Sequence, residues 1–397
     1  MFRQFLATKW FALIFLASLA SELTNSLLVH FPGYLLDLGA DEVRLGTIVG
    51  VSGLASIVVR PWIGKVMDQK SRRLMIRIGT GIVVVATFSY AFIDQLGPAV
   101  VGARLLQGIG QAMSMTAFWT YIADRTPVRF RSQGIALFGI SGLAPLGIAP
   151  ALGDRILASA WGYRGIFLMA AAFSLVALIL AFFLERSGVN TGATTTGFLE
   201  VLRRPSLRPV WFVTLILSLG FTAAFVFVKT YVTTSGLGTI GPFFATYALV
   251  AVTWRLTLAW VPDRVGPTRM LGPGLAAYAL GVALVGILPL PEGLLIGGAI
   301  TGLGHGISFP VVLSLATSRA AQGERGTTTA IFTALFDLSL FGASPLLGWI
   351  IREFGYQFMF VATAIVVMAG MVVFLMAEKR LVIDLIDEPA TAPVPHV

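Results

Sequence analysis

Two carboxylic acids, Glu22 in "LASELTNSLLVHFP" and Asp337 in "TALFDLSLFGASPLLG", stand midway along apolar runs that hold no Lys or Arg. His305 stands likewise in "GLGHGISFP". A full charge at the centre of a lipid layer costs roughly 2.5–3.5 kcal/mol on insertion scales, so each such residue calls for a reason. A carboxyl or imidazole enclosed in an apolar interior and opened periodically to water takes up and returns a proton. Glu22, Asp337 and His305 are therefore the proton-handling candidates. Arg104, Lys229 and Arg255 are interior cations suited to a carboxylate or phosphate on a bound solute. Asn25, His30, Gln107, Gln111 and Tyr247 add polar contacts, and Phe118, Trp119, Tyr121, Phe225 and Trp254 add aromatic faces. Each also has a plain structural reading. Lys229 is equally suited to snorkel outward, Arg255 to anchor at an interface beside Trp254, and Arg60 to reach the headgroups from near the end of its span.

Catalysis is excluded by what is missing. The chain has no Cys, hence no thiolate chemistry, and its three His, at 30, 305 and 396, are far apart. Neither a nucleophile–His–acid set nor a metal-ligand spacing such as HExxH occurs. No enzyme activity, cofactor or metal is expected.

The elements that must position these residues are legible in the composition. Of 397 residues 56% are hydrophobic and only 12% charged, with mean hydropathy +0.86. A soluble domain is about 25% charged. Continuous apolar blocks of about 20 residues read as membrane helices, not as the alternating strands of a barrel. Twelve are expected, near 10–36, 43–67, 74–93, 98–122, 132–157, 161–184, 209–234, 241–261, 270–288, 293–317, 327–351 and 356–377. The first block is too long for a signal peptide and is kept as a span.

Charge then sets the orientation. The turn between spans 2 and 3 carries Lys65, Lys70, Arg72, Arg73 and Arg77 against Asp68 alone. With the N-terminus in the cytoplasm, only Arg44, Arg155, Arg164 and Arg352 of the 28 Lys and Arg fall on the far side. Cationic loops resist translocation, so this asymmetry places both termini in the cytoplasm of a cell (inner) membrane protein. The net charge of +9 is thereby topological and implies no nucleic-acid partner.

The chain also repeats itself. "QGIGQAMS" at 107 matches "TGLGHGIS" at 301, Gly147-Ile-Ala-Pro matches Gly342-Ala-Ser-Pro, and "WGYRGIF" at 161 matches "FGYQFMF" at 354. Asp68 and Asp263 are separated by 195 positions, close to the spacing of all three pairs. Six spans per repeat is an even number, so the two repeats are parallel in the membrane. The expected organisation is a six-helix bundle over 1–184, a cytoplasmic linker over 185–208, a second bundle over 209–377 and a disordered cytoplasmic tail over 378–397.

Three motifs carry a family resemblance. The turn after span 2 fits G-x-x-x-D-[RK]-x-G-[RK]-[RK] at Gly64, Asp68, Arg72 and Arg73, departing at Gln69 and Ser71. A weaker copy after span 8 keeps Asp263, Arg264, Gly266 and Arg269 but has Ala259 for the leading Gly. Span 4 fits R-x-x-Q-G-x-G through Arg104, Gln107, Gly108 and Gly110. On these residues the chain resembles the major facilitator superfamily, and "RPWIGKVMD" and "GLGHGISFP" resemble its bacterial sugar- and drug-efflux members. The resemblance implies an all-α integral membrane fold of twelve helices in two six-helix bundles. Spans 1, 4, 7 and 10 would line a central cavity, spans 2, 5, 8 and 11 would flank it, and 3, 6, 9 and 12 would be scaffold. All the interior ionisable residues named above fall on lining or flanking spans. Pro145, Pro150 and Gly153 partly match the family's antiporter motif, with Ala149 and Asp154 departing from it.

The resulting expectation is a monomeric secondary active transporter of a small organic solute, with protons exchanged for solute on export. Uptake by proton symport, uncoupled diffusion and a non-transporting receptor remain alternatives. Gly64, Asp68, Arg72, Arg73, Asp263 and Arg264 would gate the cytoplasmic side, with Asp68 accepting hydrogen bonds from Arg129, Arg131 or a helix N-terminus.

Overall fold

The computed structural model describes residues 8–40, 42–185, 197–238, 240–321 and 323–387. Helices form where the apolar blocks predict them. In the first half they are α1 (Lys9–Asp37), α2 (Glu42–Gln69), α3 (Arg72–Tyr90) and α4 (Pro98–Arg125). Then come α5, in two pieces (Arg131–Phe138 and Ile140–Leu157), and α6 (Gly162–Phe182). In the second half α7 runs Arg208–Thr222, passes through a π-helical turn at Ala223–Phe227 and resumes over Val228–Thr234. It is followed by α8 (Gly241–Thr257), α9 (Pro267–Ile287) and α10 (Pro291–Arg319). One unbroken stretch, Arg325–Asp387, divides at Gly355 (φ 84°) into α11 and α12.

Length and apolarity alone pick out nine membrane-crossing segments among the described residues, against the twelve expected. The difference has three causes. α11 and α12 count as one because only Gly355 parts them. α8 has 17 residues, one turn short of a comfortable span. α4 spends its apolarity on Arg104, Gln107, Gln111 and several Gly, Ser and Thr, because it faces a polar interior. The protein is a multi-pass membrane protein. Its outer helices α3, α6, α9 and α12 present Val85, Phe88, Ile179, Phe182, Leu280, Val366 and Val373 outward, a surface suited to acyl chains and not to water.

The repeat motifs acquire reasons here. A Cβ on Gly108 of α4 would lie 2.2 Å from the Ser52 carbonyl of α2, and one on Gly302 of α10 would lie 2.2 Å from the Tyr247 carbonyl of α8. Only glycine lets those backbones touch, so the inner helices sit deep between their neighbours in both halves. Gly162 and Gly355, equivalent in the third repeat pair, both take positive φ (49° and 84°) and turn the chain between the last two helices of each half.

Two sequence expectations change. The tail was expected to be disordered from residue 378, yet α12 continues to Asp387 and buries Glu378 in an ion pair with Arg319 at 2.5 Å. A buried carboxylate with a bidentate partner holds that end down. The linker is ordered in its second part, with a short helix Phe198–Arg203 and an ion pair from Arg204 to Glu324. Residues 186–196 of the linker and 388–397 of the tail lie outside the described residues.

Candidate functional site

A cavity of about 810 Å³ lies between the two halves, toward the end remote from the linker. α1 contributes Glu22, Asn25 and His30, α4 contributes Arg104, Gln107 and Gln111, and α7 contributes Phe225 and Lys229. Gly147, Pro150 and Asp154 of α5 face Gly241, Phe244 and Ala245 of α8 at its rim. Asp154 is 74% exposed, so the rim opens to solvent. Eight of the candidate polar and aromatic residues singled out in the sequence thus meet in one space. Asp154, noted in the sequence only as a departure from a motif, joins them.

Local structure sets each one. Proline at position 32 lacks the N–H that an α-helix would use, and the preceding Leu28–His30 turn tightens to 3-10 geometry. That turn lets the His30 Nε2 reach the Pro150 carbonyl at 3.2 Å and approach Asp154 at 3.9 Å. On α4, Gln107 Oε1 accepts from Arg104 (2.8 Å) and from the Tyr90 hydroxyl (2.9 Å), while the guanidinium lies 4.6 Å from the Phe31 ring. Among the described residues Arg104 meets no carboxylate, and its buried Nε has no partner. Glu22 has Asn25 Nδ2 at 3.4 Å, and no cation forms a salt bridge with it among the described residues. The π turn in α7 precedes Lys229 by one residue and widens the helix where Phe225 enters the cavity, a feature with no signal in the sequence pattern.

Two of the expected cavity residues, Tyr247 and Arg255, and the proton-handling candidate His305 are not among the residues that line this cavity. Tyr247 is buried in a plug with Leu143, Leu146, Phe225, Ala251 and Val252 that closes the floor, and His305 and Arg255 are buried next to that plug. Tyr247 Oη and His305 Nδ1 share a 2.5 Å hydrogen bond, and Phe221, Tyr278 and Phe309 pack round the imidazole. Asp337 lies at the α2–α11 seam, apart from the cavity. Its Oδ2 accepts from Arg60 Nε (2.8 Å), Arg60 Nη2 (2.5 Å) and Ser56 (2.7 Å). Arg60 was expected to snorkel to the headgroups, but it is 2% exposed and is held inside by Asp337, Thr116 and Thr333. Paired to a carboxylate on the other half, it has no reason to seek water.

The linker end is closed by two matching contacts. Asp68, at the end of α2, accepts from the Gly326 N–H (2.8 Å), Thr327 N–H (2.9 Å) and Thr327 hydroxyl (2.6 Å) at the start of α11. Asp263, in the Val261–Val265 turn after α8, accepts from the Ser132 (3.3 Å) and Gln133 (3.0 Å) N–H groups at the start of α5. Each half therefore caps a helix N-terminus of the other, where free N–H groups and the helix dipole favour an anion. Burial pushes the Asp263 carboxyl above the ordinary aspartate range, opposed by those same hydrogen bonds. The partner of Asp68 is a helix N-terminus and not Arg129 or Arg131: Arg131 instead binds Ser318, and Arg129 is exposed. Gly64 permits the seam, since a Cβ there would lie 2.9 Å from Thr327 Cα. Arg72 bridges Asp68 (3.6 Å) and Asp124 (3.0 Å), and Arg325 joins Asp124 from across the seam at 3.4 Å. Arg73 and Arg264 stay within their own halves, on the Leu184 carbonyl and the Trp260 ring.

Comparison with known proteins agrees with this architecture. The Major Facilitator Superfamily model matches residues 10–291 and 239–392. The staphylopine export protein of Staphylococcus aureus is 23% identical over 85% of this chain and 87% of its own length. An uncharacterized MFS-type transporter of Burkholderia mallei is 23% identical over 89% of this chain and 88% of its own. Among solved structures, the human organic anion transporter MFSD10 (TETRAN) superposes with TM-score 0.80 at 17% identity, covering 91% of this chain and 98% of that one. A bacterial homologue of the iron transporter ferroportin in its outward-facing state gives 0.77 at 14% identity, covering 93% and 99%. At those identities the two structures speak to the fold.

Proposed function

The chain belongs to the Major Facilitator Superfamily, and from that premise we propose that it is a secondary active transporter exporting a small organic solute in exchange for protons. The observation that carries this reading is the cavity itself. It is lined by costly ionisable groups from both halves, open at one end and sealed at the other by the paired Asp68 and Asp263 contacts. A rocking of the halves that broke those contacts and closed the rim would present the same groups to the opposite side. The sealed end, where Lys and Arg concentrate, faces the cytoplasm of the inner membrane, with both termini on that side and the protein acting as a monomer.

Glu22 is the proton carrier in this scheme. It borders the cavity with, among the described residues, one weak polar partner and no cation, and a bound cation or proton would relieve its burial. Asp337 is a poorer carrier, since Arg60 and Ser56 already satisfy it. His305 serves as a packed hydrogen-bond partner of Tyr247. The name of the S. aureus relative favours export as the direction. The test is flux in reconstituted vesicles with and without an imposed pH gradient, on solutes selected by thermal shift. Solute moving against the proton flow supports exchange, solute moving with it makes the protein an uptake symporter, and flux indifferent to pH removes coupling.

A further inference from the structure

Arg255 is 2% exposed and, among the described residues, makes no hydrogen bond or ion pair; its Nε is buried with no acceptor. An unpaired guanidinium in a membrane interior is among the costliest things a fold can carry. The repeat explains how it came to be alone. Arg255 follows Arg60 by 195 positions, the interval that separates Asp68 from Asp263, so the two arginines are equivalents on α2 and α8. Arg60 has three polar partners, Thr116, Thr333 and Asp337, and Ser56 donates to the same Asp337 oxygen. At the equivalent places round Arg255 the chain has Ala251, Pro310, the Phe138–Gly139 turn and Gly142. None of these carries a polar side chain, so the hydroxyls and the carboxylate gathered round Arg60 have no counterpart there. The guanidinium rests on bare backbone instead, with Nη1 2.5 Å from where a Gly139 Cβ would be.

We propose that Arg255 is an anion subsite of the transport pathway, in which a carboxylate of the transported solute takes the place that Asp337 fills beside Arg60. The reading rests on the transporter function above and adds the substrate class: an organic carboxylate with an apolar body. The position is apt. Gly142 lies directly under the cavity, its Cβ place 3.9 Å from Glu22 Cγ, and the floor between cavity and arginine is the apolar plug of Leu143, Leu146, Phe225 and Val252. Parting the α5–α8 seam, which Asp263 locks, joins Arg255 to the solute path. Trp119, Phe138 and Phe309 pack together on that side and suit an apolar or aromatic body, and a planar guanidinium suits a carboxylate by paired hydrogen bonds.

The experiment uses the full chain with Ala251→Cys as its sole thiol, and benzoate, benzamide and inorganic phosphate as probes. Benzoate at about four times its dissociation constant should slow maleimide labelling from the linker side about fivefold. Benzamide, which lacks the charge, should not. Arg255→Gln should abolish the protection. So should Gly142→Asp made with Glu22→Gln, which restores the missing counter-ion without setting two carboxylates together, and this variant should also melt at a higher temperature than Glu22→Gln alone. Equal protection by benzoate and benzamide, protection that survives Arg255→Gln, or protection by phosphate alone would overturn the carboxylate subsite while leaving transport intact. A thiol at 251 that never reacts from the linker side under any condition would instead remove alternating access, and with it the premise.

Discussion

Replacing Asp68 by Asn should unlock the linker end. The carboxylate takes three hydrogen bonds at 2.6–2.9 Å from the first residues of α11, two of them from N–H groups. An amide keeps one acceptor, turns an NH2 toward N–H donors and loses the charge that the helix dipole favours. A hydrogen bond to a charged group contributes about 1.5–3 kcal/mol and a charge at a helix N-terminus about 0.3–1 kcal/mol. The loss is therefore about 2–4 kcal/mol, a shift of roughly 30- to 900-fold in the ratio of closed to open at that end. Because the chain has no cysteine, Ala330→Cys supplies a single thiol, fully buried on α11 against Gly64. Its maleimide labelling in vesicles should accelerate from the linker side when Asp68→Asn is added. A thiol at Ala245, on the cavity rim, should slow in the same variant. Unfolding would speed both, so only the reciprocal change supports the reasoning. Rates within twofold of the parent at both positions would refute it.

Other perturbations follow from the same geometry. Glu22→Gln should abolish solute flux driven by a pH gradient while leaving solute–solute exchange, because only the proton site is lost; gradient-driven flux at the parent rate would exclude Glu22. Arg60→Met or Asp337→Leu alone strands a buried charge and should destabilise the protein by about 3–5 kcal/mol, whereas the two together should be near neutral. A double-mutant cycle on thermal unfolding in detergent measures this, and additive losses would mean the pair is not coupled. Gly108→Ala places a Cβ 2.2 Å from the Ser52 carbonyl and should cost about 1–3 kcal/mol, as should Gly302→Ala against Tyr247. Unchanged melting temperatures would show that the close helix contacts relax freely.

Much of this was legible in the chain because membrane proteins write their constraints in long blocks. Apolar length gave the helices and the spacing of the repeats gave the two halves, including equivalents such as Gly108 and Gly302. What the sequence concealed were the directions of side chains at points where helices are irregular. The 3-10 turn at Leu28–His30 follows from Pro32 and was readable in principle; the π turn at Ala223–Phe227 carries no residue that demands it. Arg60 was misjudged because its distance from the helix end was visible and its counter-ion, 277 positions away, was not. The partner of Asp337 was hidden for the same reason, and His305 and Tyr247, placed on lining and flanking spans, face each other at the cavity floor.

The placement of polar groups argues that the two halves have diverged where solute passes and stayed alike where the machine must lock. The seals are matched: Asp68 and Asp263 each hold the other half's helix N-terminus, and Gly108 and Gly302 each admit a neighbour's backbone. A two-fold device needs both locks to yield together, so neither can drift alone. The interior departs from that symmetry at Gln111, whose equivalent is His305, and at Asp337, whose equivalent is Gly142. A solute lacks the two-fold axis of the protein, and a site that binds it gains nothing from keeping both arginines neutralised in the same way. One arginine bolts the halves together at the α2–α11 seam, while its mate stands at the α5–α8 seam without a counter-ion among the described residues. If that asymmetry is the basis of recognition, supplying a carboxylate at Gly142 in the Glu22→Gln protein should convert a pathway into a second bolt: solute–solute exchange falls, and stability rises relative to Glu22→Gln alone.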